Sequence, residues 1–168
     1  LLNFQPSTDW SGLRRKIWSE VCEQPSHPFA VCFGKPDGVQ SDKLSAIYRR
    51  NRQYPLWLSP RGNGLDCHRT WEALYRDAIP IVWHSTLDSL YEKLPVIVIK
   101  GWEELNEEFL HRKLREIAAK KVQRPAVYQY EKLRNAYWRE MILKKSRYAS
   151  NQVGIQRNRC WRARTVRN

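Results

Sequence analysis

The sequence predicts an α/β fold: a Rossmann-like open parallel sheet flanked by helices, followed by a C-terminal helical extension and a basic tail. Two observations carry that expectation. From Leu1 to Lys100, short β-rich runs alternate with stretches of helical periodicity, the pattern of strand–helix units wound into one sheet. Two of the runs, Ile79–Trp83 and Pro95–Lys100, are continuously apolar, as strands are when helices cover both faces of a parallel sheet.

Taken in order, Leu1–Gln5 reads as the first strand, and Trp10–Cys22 as a helix with Leu13, Ile17 and Val21 at four-residue spacing. Phe29–Phe33 is the second strand, closed by Gly34. Ser41 is placed to cap a helix over Asp42–Arg52, whose Leu44, Ile47 and Tyr48 share a face. The third strand, Tyr54–Ser59, stops at Pro60, and the two apolar strands follow. From Trp102 the pattern changes: Glu103–Lys121 and Ala126–Ser146 read as two long helices split at Pro125. Asn151–Asn168 has little periodicity and many Arg and Asn residues, which reads as a disordered tail. The expected organisation is a Rossmann-like domain over residues 1–121, a C-terminal helix over 122–150 and the basic tail over 151–168.

The 168 residues, 42% of them hydrophobic and with eight Trp and eight Tyr, suffice for one domain with a real core. Beginning at Leu1 with no leader, the sequence reads as starting partway through a larger protein. No apolar run approaches the ~20 residues of a membrane helix, so any anchor or signal is expected upstream. Cys22, Cys32, Cys67 and Cys160 are scattered and form no CxxC pair, which predicts buried or inert thiols rather than a disulfide framework or a zinc site. The net charge is +13, and Arg147, Arg157, Arg159, Arg162, Arg164 and Arg167 have no acidic residue among them. Such charge attracts phosphate ligands, acidic glycans, nucleic acid or anionic membrane, and does not choose among them.

The stretch richest in chemistry is Ser59–Leu74, between a buried strand and a helix, where open α/β sheets bind ligands beyond the carboxyl ends of their strands. Gly62 and Gly64 permit positive φ and close approach of backbone to ligand. Asp66 is expected to cap the next helix, whose free N–H groups suit a diphosphate. On that helix Trp71, Leu74, Tyr75 and Ala78 follow core spacing, which leaves Arg69, Glu72, Ala73 and Arg76 on the polar side. Arg69 is then placed for phosphate, Glu72 for the two ribose hydroxyls, and Arg61 for the departing diphosphate. The plainer reading is an ion pair of Glu72 with Arg69 or Arg76, worth about 0.2–0.5 kcal/mol, and a simple Gly62–Gly64 turn. The Gly-x-Gly also lacks the third glycine of a dinucleotide fingerprint.

The run Ser59-Pro-Arg-Gly-Asn-Gly-Leu-Asp-Cys-His-Arg-Thr-Trp-Glu-Ala-Leu-Tyr75, followed by Ala78-Ile-Pro-Ile-Val82, resembles the donor-binding signature of exostosin-like glycosyltransferases. The likeness is closest over Trp57–Val82, continues loosely through Ser85–Leu87 and Leu94–Val96, and fades after about Phe109. It implies a GT-B architecture of two Rossmann-like domains facing a cleft, of which this chain is the C-terminal half that holds a nucleotide-sugar donor, commonly a UDP-sugar. By that resemblance Arg61 contacts the diphosphate and Glu72 the ribose, with Gly62, Asn63, Gly64, Asp66, His68 and Arg69 around them. No metal or other cofactor is expected, and the chain has no Asp-x-Asp pair to carry one. Where relatives place a glycine before the small residue that precedes Ile-Pro, this chain has Asp77, which predicts a slightly strained turn.

His84 and Ser85, at the carboxyl end of a strand, are further candidates for lining the cleft, although Ser85 or Thr86 also suits a cap for a short helix with Asp88 in its first turn. His27 and His111 read as surface residues, and Trp102, Trp138 and Trp161 as packing or tail residues. The expected reaction moves a glycosyl group from a nucleoside diphosphate sugar to a hydroxyl acceptor, such as a glycan. Its catalytic base is expected from the missing upstream domain, so no catalytic residue is assigned and the isolated fragment is expected to be inactive. The resemblance implies the Golgi lumen for a eukaryotic source. The rival readings are a basic nucleic-acid-binding module gripping phosphates with Arg157–Arg167, and an inactive transferase-like interaction domain.

Overall fold

A computed structural model describes residues 1–4, 12–23, 27–34 and 44–152. The chain divides into two compact units, Leu1–Gln129 and Tyr130–Asn168. The first is the predicted α/β domain. Strands β1 (Leu2–Phe4), β2 (Ala30–Cys32), β3 (Leu56–Leu58), β4 (Ile79–Trp83) and β5 (Ile97–Ile99) form one sheet in the order β2-β1-β3-β4-β5. Every pairing is parallel, with Leu2 opposite Ala30 and Leu56, Leu56 opposite Ile79, and Ile81 opposite Ile97. The strands are the five expected from the sequence, four of them two or three residues shorter and β4 with the expected bounds. Their alternation explains why both faces are apolar. Leu2, Phe4, Leu56, Leu58, Ile81, Ile97 and Ile99 bury one face with Ile17, Val21, Leu105 and Leu110, which places α1 (Leu13–Ile17) and α5 (Glu107–Gln123) there. Trp57 on the other face packs with Ala73 and Ala78, under α2 (Leu44–Asn51) and α3 (His68–Leu74).

Trp57 fixes that second face. Its ring is 1% exposed, and its Nε1–H donates to the carbonyls of Asn51 (3.0 Å) and Tyr54 (3.1 Å), at the end of α2 and just beyond it. Asn3 of β1, fully buried, donates from Nδ2 to the same Asn51 carbonyl at 3.3 Å. The orphan carbonyls that end a helix are thus met by side chains of two strands.

The sequence reading needs several corrections. The first helix starts at Leu13 and widens into a π turn over Trp18–Cys22, where Glu23 N–H reaches the Trp18 carbonyl at 3.1 Å. That turn brings Cys22 to β2, where it forms a disulfide with Cys32. Expecting inert thiols there was wrong, because spacing along the chain does not show that a helix end lies beside a strand. Cys67 is a buried free thiol, as expected, while Cys160 lies outside the described residues. Ser41 and the tail over 153–168 also lie outside them.

Helix α5 begins at Glu107, after a 3₁₀ turn at Trp102–Glu104, because Asn106 caps it by accepting the Phe109 N–H at 2.9 Å. The long helix expected over Ala126–Ser146 begins only at Asn135. Pro125–Val127 is a 3₁₀ turn, and the Gln129 N–H donates to the Lys93 carbonyl at 2.8 Å, which takes it out of any helical ladder. The second unit holds a 3₁₀ turn at Tyr130–Leu133 and α6 (Asn135–Gln152), joined where Trp138 Nε1–H donates to the Lys132 carbonyl at 2.7 Å. Among the described residues no helix is long and apolar enough to cross a membrane.

Two expectations about stability follow. The Cys22–Cys32 link closes a loop of 10 residues, so Cys22→Ser should lower unfolding free energy by about 2–3 kcal/mol, and adding reductant should lower the wild type but not the variant in a denaturant titration. Asp77 sits at φ 56, the left-handed turn expected for it, and its Lys121 ion pair at 3.1 Å joins two exposed groups. Asp77→Gly should therefore stabilise by about 0.5–1 kcal/mol, relief of backbone strain outweighing a weak surface pair, which a thermal melt would register as a rise of a few degrees.

Candidate functional site

The strand order reverses between β1 and β3, since β1 leads outward to β2 and the chain then crosses back to β3. In doubly wound sheets this reversal opens a crevice beyond the carboxyl ends of the two strands. The described chain resumes after β1 at Gly12, at the start of α1, and a loop follows β3 from Ser59 to Cys67 before entering α3.

The β3 side is pinned first. Ser59, 2% exposed, donates its N–H to the Ile81 carbonyl at 2.9 Å, and its hydroxyl meets that of fully buried Thr70 at 2.8 Å. That bond fixes the phase of α3. Thr70, Ala73 and Leu74 face inward, so the expected inward stripe through Tyr75 is a correction: Tyr75 is 64% exposed, and Ala73, expected on the polar side, is fully buried. A small residue at 73 lets the helix close on Trp57. The rotation also carries Arg69 and Glu72 away from solvent into half-buried positions beside α2.

There Glu72 Oε1 accepts the Tyr48 hydroxyl at 2.9 Å, and the Arg76 guanidinium stacks on the Tyr48 ring at 3.9 Å. Burial, and then the carboxylate it donates to, raise the Tyr48 pKa above its ordinary value. Glu72 belongs to neither hydrophobic cluster. Arg69 Nη1 is sealed from solvent with no hydrogen-bond partner. Burial lowers the Arg69 pKa, with Cys67 and Glu72 opposing and the nearby charges of Arg14 and Arg50 adding to the lowering.

Other candidates lie apart from this pair. Arg61, Asn63, Gly64, Asp66 and His68 are exposed along the loop and at the start of α3. Asp66 does not cap the helix. Cys67 occupies that position in extended conformation without a side-chain bond to the helix N–H groups, and Asp66 Oδ1 instead accepts the Trp71 Nε1–H at 2.8 Å. Neither Gly62 nor Gly64 has positive φ, which among the described glycines belongs to Gly12 and Gly34. What Gly62 provides is room, since a Cβ there would stand 3.4 Å from Arg14 Nη2. His84, whose N–H donates to the Ile99 carbonyl at 2.8 Å, is exposed at the end of β4 and makes a short hydrogen bond to Asp88. Asp88 also accepts the Ser85 N–H at 2.9 Å and, as expected, lies in the first turn of α4 (Asp88–Tyr91). Tyr91 lies between the two groups. Burial first, and then the nearby Asp66 carboxylate, raise its pKa to about 12, while a hydrogen bond with Thr70 opposes the rise.

The sequence reading missed Arg14, Tyr48, Arg50 and Tyr91. For Arg14 a signal existed: it stands three and seven residues before Ile17 and Val21, on the same inward stripe of α1. Elsewhere in the first unit, a cavity of about 350 Å³ opens between β5 and α5, lined by Lys93, Ile97, Lys113, Ile117, Lys120 and Tyr128. It is far along the sheet from the β1/β3 crevice and holds none of the residues singled out from the sequence. Among the described residues no cluster of three or more His, Cys, Asp or Glu is arranged to hold a metal ion.

The fold is an α/β domain of the doubly wound, Rossmann-like class, and the charges of Arg14 and Arg50 act on Arg69 near its switch point. No family model matches this chain, and no curated protein matches it.

The Ser59–Thr70 bond, on which the placement of Arg69 and Glu72 rests, is testable as a cycle. Thr70→Val alone should cost about 1–3 kcal/mol by leaving the buried Ser59 hydroxyl unmet, Ser59→Ala should cost less because Thr70 keeps its bond with Tyr91, and the double variant should cost less than the sum of the singles. Chemical denaturation of the four proteins gives the coupling.

Proposed function

We propose that the first unit is the donor-binding half of a two-domain glycosyltransferase of the exostosin-like kind, with GT-B architecture. It holds a nucleoside diphosphate sugar, best fitted by a UDP-sugar, for transfer to a hydroxyl acceptor such as a glycan. The observation that carries this reading is the placement of half-buried Arg69 and Glu72 on α3, just after the β3 loop, with Glu72 oriented by the Tyr48 hydroxyl and its charge acting on Arg69. One Glu72 oxygen is engaged by Tyr48, and the other is available to accept from ribose hydroxyls.

Chemically, the domain has to bind the donor and stabilise the diphosphate as it departs. Fixed guanidinium donors in a partly desolvated crevice suit that task, because they are oriented before charge develops on the leaving oxygen. Arg69 is held in this way, and Arg61 on the exposed loop is free to close on a bound diphosphate. The base that takes the acceptor proton is assigned to the companion domain upstream. No metal or other cofactor enters this reading. The Cys22–Cys32 disulfide is of the type maintained in oxidising compartments, which supports a lumenal setting such as the Golgi.

Calorimetric titration with UDP tests the proposal. Glu72→Gln should weaken UDP binding at least about ten-fold by replacing an ionised acceptor, while removing residues 151–168 should change it little. No saturable UDP binding by the wild type would refute the reading and favour an inactive interaction domain. Tight RNA binding that falls steeply with salt and disappears with the tail would favour a nucleic-acid module instead.

A further inference from the structure

The cavity between β5 and α5 pairs an apolar floor with a basic rim. Ile97, 2% exposed, and Ile117 of α5 belong to the core on that face of the sheet, and Val127 adds to the floor from the segment after α5. That segment is held in place. Pro125–Val127 forms a 3₁₀ turn, and the Gln129 N–H donates to the Lys93 carbonyl at 2.8 Å, which brings Val127 and Tyr128 beside Lys93.

On the rim, Lys113 and Lys120 share one face of α5 with Glu116 and Ile117. Lys113 donates to Glu116 at 3.0 Å, and Arg112 lies 3.6 Å from the same carboxylate. Lys93 and Lys120 form no ion pair among the described residues. Lys93 is also held in left-handed backbone, at φ 61, where glycine is at less cost. Local strain of this kind is accounted for when the side chain has a partner outside the fold.

The outer edge of β5 lines the same cavity through Val98, but it offers little to a further strand. The Ile99 carbonyl accepts the His84 N–H, so by alternation the backbone of Val96, Val98 and Lys100 points away from β4. The Val96 N–H donates to the Leu94 carbonyl at 2.8 Å, and the Lys100 N–H donates to the Glu104 carboxylate. Strand addition needs a ladder of outward groups, whereas a compact ligand does not.

We propose that this cavity binds a small amphiphilic carboxylate, its apolar body on Ile97, Ile117 and Val127 and its head group at the ammoniums of Lys93 and Lys120. Apolar walls with a few convergent polar groups are what small-molecule sites share. The volume of about 350 Å³ lies at the small end of such sites, roughly 300–1,000 Å³, which suits a compact molecule. With Glu116 already engaged, the cations on the wall select an anion over a neutral or cationic head. The site is separate from the donor-binding reading and does not rest on it.

The experiment titrates the 168-residue chain calorimetrically with octanoate, octanol, octylammonium and acetate. Octanoate should saturate a single site and bind at least about ten-fold tighter than the other three, which lack either the charge or the apolar body. Lys120→Gln should weaken octanoate at least about three-fold and leave octanol unchanged. Lys93→Gly should do the same while melting no lower than the wild type, because glycine relieves the left-handed backbone. Arg115→Gln, exposed on another face of α5, should change nothing. Absence of saturable octanoate binding, or octanoate bound no better than octanol or octylammonium, overturns the proposal. Equal weakening in Arg115→Gln also overturns it, since the attraction would then belong to the net charge of +13. Unchanged binding in the Lys93→Gly, Lys120→Gln double variant does so too. Should Lys93→Gly melt below the wild type, Lys120→Gln alone decides, and octanoate affinity unchanged there sinks the idea.

Discussion

The placement of the Trp57 indole is the constraint on which the rest of the site depends. Its N–H satisfies carbonyls at the end of α2, and its ring supplies the surface on which Ala73 and Ala78 lie. One buried side chain therefore sets the position of two helices at once. Tyr48 meets Glu72, and Arg50 influences Arg69, because both helices are referred to the same ring. A polar handle at one end of a large apolar body suits Trp to this role, since burial drives the ring inward and the N–H still finds its acceptors.

The crevice shows a second physical theme. Guanidiniums are rarely buried, and gathering them raises their mutual repulsion as water is withdrawn. Arg14 and Arg69 nevertheless converge on the loop after β3, one from each helical layer. The Ser59–Thr70 hydroxyl pair keeps the α3 wall from turning, and the Asp66–Trp71 bond ties the end of the loop to the same helix.

Much of the sheet was legible because its strands are buried on both faces. Ile79–Trp83 has the bounds its apolar run suggests, and Leu56–Leu58 and Ile97–Ile99 lie inside theirs. Asp77 was legible through the resemblance, whose relatives place a glycine there, the residue that most readily ends a helix in left-handed backbone. The phase of α3 was not. Trp71 and Tyr75 are more hydrophobic than Thr70 and Ala73, so periodicity put them inward, whereas a buried hydroxyl pair and the need for close approach to Trp57 turned the helix the other way. The helix expected from Ala126 starts later, at Asn135, for a related reason: the backbone of Gln129 is bonded to Lys93, distant in sequence.

By itself, then, the sequence determined the class of fold, the position of the strands and the segment from Ser59 to Glu72 as the place to look, because those follow from local pattern and from the chemistry of neighbouring residues. The tertiary structure decided which groups meet: Cys22 with Cys32, Tyr48 with Glu72, and Arg14 with the loop that holds Cys67. Such meetings depend on how helices from separate parts of the chain pack on opposite faces of one sheet. No spacing along a single strand or helix encodes that geometry.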